Sequence, residues 1–108
     1  MTPNEYQAQA MHWLNPALSE KGTLINGVMG LCGESGEVID LVKKHLSQGH
    51  PLDREALAKE LGDVAWYLAE TAYVLGYPLE EIFRMNLEKL SARYPDGFST
   101  ERSLHRSK

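Results

Sequence analysis

Leu24, Val28, Leu31, Ser35, Val38, Val42 and Leu46 recur at steps of three and four, and so do Leu57, Leu61, Val64, Leu68, Ala72 and Leu75. A period near 3.6 brings such positions onto one face, so each stretch is predicted to be a long amphipathic helix. No run alternates with period two over the length of a strand, and neither an internal repeat nor a low-complexity tract is present. The expected class is all-α, a helical bundle in which the second and third helices form a long antiparallel central pair.

Local signals place the helix ends. Thr2-Pro3-Asn4-Glu5 reads as a capping box with proline at the first helical position, opening a first helix that runs to about Asn15, before Pro16. The second is predicted from near Thr23 to about Leu46, where Ser47-Gln48-Gly49-His50-Pro51 breaks it. Asp53 is the expected N-cap of the third, which ends at Gly76. Pro78 opens the fourth, with Glu80 and Glu81 in its first turn and Ile82, Phe83, Leu87 and Leu90 as its apolar face up to Pro95. Residues 96–108 are expected to be a polar, irregular tail, and residues 1–108 a single domain. Gly27, Gly30, Gly33 and Gly36 work against the second helix, since each costs about 1 kcal/mol relative to alanine in a helix interior. Either the missing side chains let a neighbouring helix or a ligand approach the backbone, or the residues before Gly30 form a loop. A phosphate-cradling loop is a poorer account, because no strand precedes these glycines and neither phosphate-loop spacing is present.

Composition removes several function classes. At 108 residues the chain can build one core, yet it is small enough that self-association would help it. A net charge of −4 without a long basic block lacks the footprint of a nucleic-acid polymer binder. No stretch approaches the ~18 apolar residues of a membrane span, and Met1-Thr2-Pro3-Asn4-Glu5 has no basic segment followed by an apolar one. No membrane partner is expected, and the cytoplasm is the expected compartment. Cys32 is the only cysteine, which excludes an internal disulfide and a thiolate zinc site; it is expected to be a small buried apolar residue.

The chemistry lies in the acids. Glu34 and Glu37 stand at i and i+3, neighbours on a helix surface, and Glu60 and Asp63 repeat the arrangement on the next helix. At about 100° per residue, with Leu24 set to zero, Glu34 falls near ~280° and Glu37 near ~220°. With Leu57 set to zero, Glu60 falls near ~300° and Asp63 near ~240°, so both pairs occupy the same shoulder of their helices. Packed antiparallel through the apolar stripes, the two shoulders are expected to meet in one cleft. Four converging carboxylates raise one another's pKa unless a cation neutralises them, and all-oxygen coordination selects Mg²⁺ or Mn²⁺. A di-iron carboxylate bundle would need Glu-x-x-His pairs, which are absent. The competing account is a set of ordinary solvated acids in a chain that carries 15 of them.

Leu31-Cys32-Gly33-Glu34-Ser35-Gly36-Glu37-Val38 followed by Glu60-Leu61-Gly62-Asp63-Val64 resembles the E-x-x-E … E-x-x-D signature of the all-α nucleoside triphosphate pyrophosphohydrolases, closest in form to the MazG-like and dCTP pyrophosphatase branches. The resemblance extends from about Asn26 to Pro95. It implies Glu34, Glu37, Glu60 and Asp63 as Mg²⁺ ligands, with Mn²⁺ as a substitute. Gly33 stands where many MazG members carry a further glutamate, which leaves the number of metals open. Asn86-Leu87-Glu88-Lys89-Leu90-Ser91-Ala92-Arg93-Tyr94-Pro95 resembles the family's closing element, implying Lys89 and Arg93 at the phosphates and Asn86 among the substrate-binding residues; exposed pairing of the two cations with nearby acids is the competing account. Tyr67 resembles a tyrosine that touches the nucleotide sugar, and Asn26 a recurrent asparagine at the base or ribose; core packing and an ordinary cap-region hydrogen bond are the competing accounts.

The reaction implied is attack of water on the α-phosphorus of a nucleoside triphosphate, giving nucleoside monophosphate and pyrophosphate. Glu37 or Glu34 is the expected acceptor of the water's proton. Two alternatives stand beside this reading: a catalytically weak helical interaction module of the same fold, and a hydrolase acting on another phosphorylated compound, such as a histidine-pathway intermediate. A single bundle of this size offers limited burial, so a homodimer or homotetramer is expected.

Overall fold

The computed structural model describes residues 1–106, and among them there is no strand. The first helix, α1 (Pro3–Ala10), opens on the expected box: Thr2 Oγ1 accepts from the Glu5 N–H at 3.1 Å, and Glu5 accepts from the Thr2 N–H at 3.2 Å. It closes five residues before Asn15. Met11–Trp13 continue as a tighter 3₁₀ turn and Leu14 is already extended. Pro16 has no N–H to donate and its ring crowds the carbonyl four residues back, so an α-turn cannot run up to it.

Next comes α2 (Glu20–Ser47), three residues earlier than predicted because the Ser19 hydroxyl accepts from the Gly22 N–H at 3.0 Å. All four glycines of the stretch therefore lie inside a helix, and the loop alternative falls. A Cβ on Gly27 would come within 2.5 Å of the Thr71 hydroxyl, and one on Gly30 would overlap the Tyr67 ring. Gly33 and Gly36 meet nothing within 4 Å, so close approach accounts for two of the four. Cys32, expected to be buried, is exposed, because it lies about 100° round the helix from Leu31.

The Asp53 side chain caps α3 (Arg54–Val74) through the Ala56 N–H at 3.0 Å. The helix ends where the Gly76 N–H reaches the Tyr73 carbonyl and the Tyr77 N–H reaches the Ala72 carbonyl, with Gly76 at φ +82°. After Pro78 the chain forms α4 (Leu79–Arg93). The tail differs from expectation: Ser99 caps a fifth helix, α5 (Thr100–Leu104), by accepting from the Arg102 N–H at 3.2 Å. The part of the predicted tail beyond residue 106 lies outside the described residues.

Taken turn by turn, contacts between α2 and α3 rise along one helix as they fall along the other: Asn26 with Glu70, Gly30 with Tyr67, Glu34 with Asp63 and Glu60. The first helix lies across α3 and α4, held by the buried Gln7. Its Nε2 donates to the carbonyls of Ala69 and Tyr77, both at 3.2 Å, and its Oε1 accepts from the Leu79 N–H at 3.0 Å. Trp66 adds a bond from its Nε1 to the Ala10 carbonyl at 3.0 Å. The fully enclosed apolar core is small, namely Ala10, Ala69, Ala72 and Leu79. Large apolar side chains stay in the open, including Met29 at 67% exposure, Ile39 at 69% and Leu46 at 75%. The radius of gyration is 16.9 Å, where about 13 Å is usual for a compact chain of this length. Among the described residues, no helix is long and apolar enough to cross a membrane.

Candidate metal centre

Three of the four acids come together. Carboxylate oxygens of Glu34, Glu60 and Asp63 all lie within 4.8 Å of one another, with Glu34 and Glu60 half-buried and Asp63 exposed. Glu34 arrives from α2, while Glu60 and Asp63 arrive from successive turns of α3, so the group exists only because the two helices pack. Glu37 stands outside it, exposed, one turn further along α2. Three residues rotate a helical position by about 60°, enough to carry Glu37 off the line where α3 approaches.

The electrostatics follow from that geometry. The Glu34 carboxyl is pushed above the ordinary glutamate range, first by the hydrogen bond it shares with Glu60 and next by partial desolvation; the charges of Asp63, Glu60 and Glu37 add to this. Tyr6, on α1, faces the same region: burial and then the charge of Asp63 push its phenol up. A divalent cation would relieve the repulsion among the acids. The donor set fits one, since every available ligand atom is a carboxylate oxygen, the choice of hard ions such as Mg²⁺ and Mn²⁺ and a poor match for softer metals.

The remaining candidates divide. Tyr67 packs into the space left by Gly30, edge-on to Trp66 with centroids 5.1 Å apart, one turn along α3 from Asp63. Asn26 is exposed, and its Nδ2 donates to both oxygens of Glu70, at 3.1 and 3.0 Å. Asn86 stands at the middle of α4 and Lys89 and Arg93 in its C-terminal half, on a helix that contributes no acid to the three-acid group. Arg84 takes up Glu81 and Glu88. Among the described residues neither Lys89 nor Arg93 forms an ion pair. The Arg93 guanidinium lies 5.9 Å from the centre of the Tyr94 ring.

Two features went unread in the sequence. Arg93 lines a cavity of about 450 Å³ together with Arg102, His105 and Arg106, and with Glu101 as its one acid. The signal for it was Ser99, a helix-capping residue three positions before Arg102 in a stretch taken to be irregular. The other is Glu70, fully buried, which sits near ~220° on the wheel that places Asp63 near ~240°.

The sequence profile of the MazG nucleotide pyrophosphohydrolase domain matches residues 23–98, which takes in the acid group, Tyr67, Asn26, Glu70 and the basic end of α4. The chain belongs to the MazG family. Members of this family are generally nucleoside triphosphate pyrophosphohydrolases and typically depend on a divalent metal. The chain is also 41% identical over 73 residues to the "Gene 37 protein" of Mycobacterium phage L5. The matched segment spans 64% of each protein, so the chain covers less than two thirds of that relative's length. No solved structure matches the chain.

Proposed function

We propose that this MazG-family protein hydrolyses nucleoside triphosphates at the α–β linkage, giving nucleoside monophosphate and pyrophosphate, with Mg²⁺ as cofactor and Mn²⁺ as a substitute. The observation that carries the reading is the meeting of Glu34, Glu60 and Asp63 across two helices, inside the matched domain. Those three residues would hold the ion, with Glu37 at its edge. When bound, a divalent ion offsets charge on the phosphates and lowers the pKa of a coordinated water.

The chain's own groups then have distinct tasks. Glu37, outside the three-acid group, takes the proton of the attacking water, and Glu34 is the second carboxylate placed to share that task. Lys89 and Arg93, which pair with no acid among the described residues, neutralise the departing pyrophosphate, with Asn86 on the same helix. Tyr67 lies against the sugar and Asn26 at its far side.

In this proposal residues 1–108 act as one domain, with α2 and α3 as its antiparallel frame and the polar end of the chain folded as α5. A second copy, in a homodimer or a tetramer of dimers, covers the exposed apolar residues Met29, Ile39 and Leu46. The extended shape of the single chain supports such an assembly. The protein works in the cytoplasm on free nucleotides, as a guardian of the nucleotide pool, and needs neither a nucleic-acid polymer nor a membrane.

The test is release of pyrophosphate from a panel of ribo- and deoxynucleoside triphosphates with Mg²⁺, with EDTA, and with Glu37→Gln and Asp63→Asn. Even groups that only support metal ligands cost about 10–100-fold when removed, so Asp63→Asn is expected to lose at least about 100-fold in kcat/KM. Folded wild-type protein that neither turns over nor binds any nucleotide with Mg²⁺ would return the acids to the solvated surface and leave the interaction-module reading.

A further inference from the structure

Glu70 takes no part in the chemistry above, yet it is the largest fully buried side chain of the described residues. Burying a carboxyl costs free energy that an apolar residue of similar size would not, so its presence calls for a role. Among the described residues its carboxyl has one side-chain partner. Asn26 Nδ2 donates to Oε1 at 3.1 Å and to Oε2 at 3.0 Å, while Asn26 itself is exposed.

That bond fixes the orientation of an amide. A carboxylate offers acceptors only, so it draws the NH₂ of Asn26 inward and leaves Oδ1 as the outward group. Among the described residues, Oδ1 has no hydrogen-bond partner. The face therefore ends in an acceptor.

Its position relative to the acids gives the acceptor a target. Asn26, Gly30 and Glu34 are one turn apart along α2, so Asn26 lies about 12 Å along the helix from Glu34. On α3, Glu70 lies about 10 Å along the helix from Asp63, with Tyr67 between them. With the sugar at Tyr67, as in the proposed function, an extended nucleotide whose α-phosphate lay at the acids would bring the edge of its base to Asn26.

We infer that Glu70 is a positioning residue that locks the Asn26 amide with its carbonyl outward, and that this acceptor selects bases carrying an exocyclic amino group, cytosine and adenine, over their oxo counterparts. A base with a carbonyl at that place meets Oδ1 acceptor to acceptor. The inference rests on the nucleotide reading of the acid group and adds the class of base it takes.

The experiment compares kcat/KM for two matched pairs with Mg²⁺: CTP against UTP, and ATP against ITP, each differing at the amino or oxo position. The amino member of both pairs is expected to be favoured by about tenfold or more. Asn26→Ala abolishes the preference. Glu70→Gln narrows both ratios, because a glutamine can face Asn26 with either its NH₂ or its carbonyl and so lets the asparagine turn. A purely structural role for Glu70 would lower all four nucleotides together and leave the ratios alone. Equal rates within both pairs for the wild type, or ratios unmoved by both variants, overturn the inference. Should no nucleotide be hydrolysed, calorimetric binding of the same four nucleotides with Mg²⁺ decides. Amino-selective binding then keeps the base selection and removes only the hydrolysis, whereas unselective or absent binding overturns the inference as well.

Discussion

Gly30→Ala puts a methyl carbon where the Tyr67 ring already lies, since an ideal Cβ at position 30 falls on three of the ring's carbon atoms. The ring has little room to yield. Its neighbour Trp66 stands at 90° to it, and that indole is tied to the Ala10 carbonyl. Overpacking a filled site costs about 1–3 kcal/mol, and a ring held edge-on by an anchored indole puts this case at the upper end. Alanine in place of a helical glycine returns about 1 kcal/mol, which leaves a net loss of about 2 kcal/mol. Gly33→Ala is the control on the same helix: with no atom within 4 Å of the added carbon, it gains up to about 1 kcal/mol. Urea unfolding followed by circular dichroism reads both variants, at one fixed protein concentration because self-association adds concentration-dependent stability. The expected result is midpoints displaced in opposite directions from the wild type, with unchanged slopes. Gly30→Ala as stable as Gly33→Ala would refute the close approach of α2 to Tyr67, and a destabilised Gly33→Ala would mean that a second copy covers that position.

Glu34 carries a raised pKa in the folded chain, so without metal the folded state binds more protons than the unfolded one around the glutamate range, and stability falls as pH rises from about 4.3 through the raised value. In EDTA, wild-type Tm is expected to fall relative to that of Glu34→Gln across this window, and Mg²⁺ to reverse the difference; parallel pH profiles would refute it. Gln7→Ala deprives the Tyr77 carbonyl and the Leu79 N–H of their buried partner, a loss of about 3 kcal/mol at about 1–3 kcal/mol for each unsatisfied group. A urea midpoint within error of the wild type would show that water replaces the clamp. Ile39→Glu places a charge on an apolar side chain that is 69% exposed in the single chain, and sedimentation velocity is expected to show a smaller species with unchanged helix content. An unchanged mass would exclude that face from the assembly.

What the sequence revealed, it revealed through neighbours. The Thr2–Glu5 box, the Asp53 cap and the Gly76 stop each depend on a few adjacent residues, and all three stand where the local pattern puts them. Ser19 was harder to read, because glycine at position 22 takes the place where a capping box carries its acid, and the apolar stripe begins only at Leu24. Helical angles put both acid pairs on the same shoulder of their helices, and packing brings Glu34 to Glu60 and Asp63. The separation of Glu37 was not legible, since a wheel gives the shoulder a residue occupies but not the line along which two helices approach. Glu70 illustrates the same limit: its angle marked it as a companion of Asp63, but only packing decides that one acid is exposed and the other sealed beneath Asn26.

The face shared by α2 and α3 handles polar groups in three ways within a few turns, and the order matters. At Asn26 and Glu70 donor and acceptors satisfy each other. At Gly30 the absent side chain is filled by the Tyr67 ring, which lets the helix backbone come close. At Glu34, Glu60 and Asp63 like charges face one another, a repulsion that a divalent cation would relieve. The Gln7 clamp and the Trp66 bond to Ala10 hold the half of α3 next to the satisfied pair, not the half that carries Glu60. Tyr6 of α1 reaches the acid end, where the charge of Asp63 bears on its phenol. A cation that joined Glu34 to Glu60 and Asp63 would tie α2 to α3 at the end away from the Gln7 clamp.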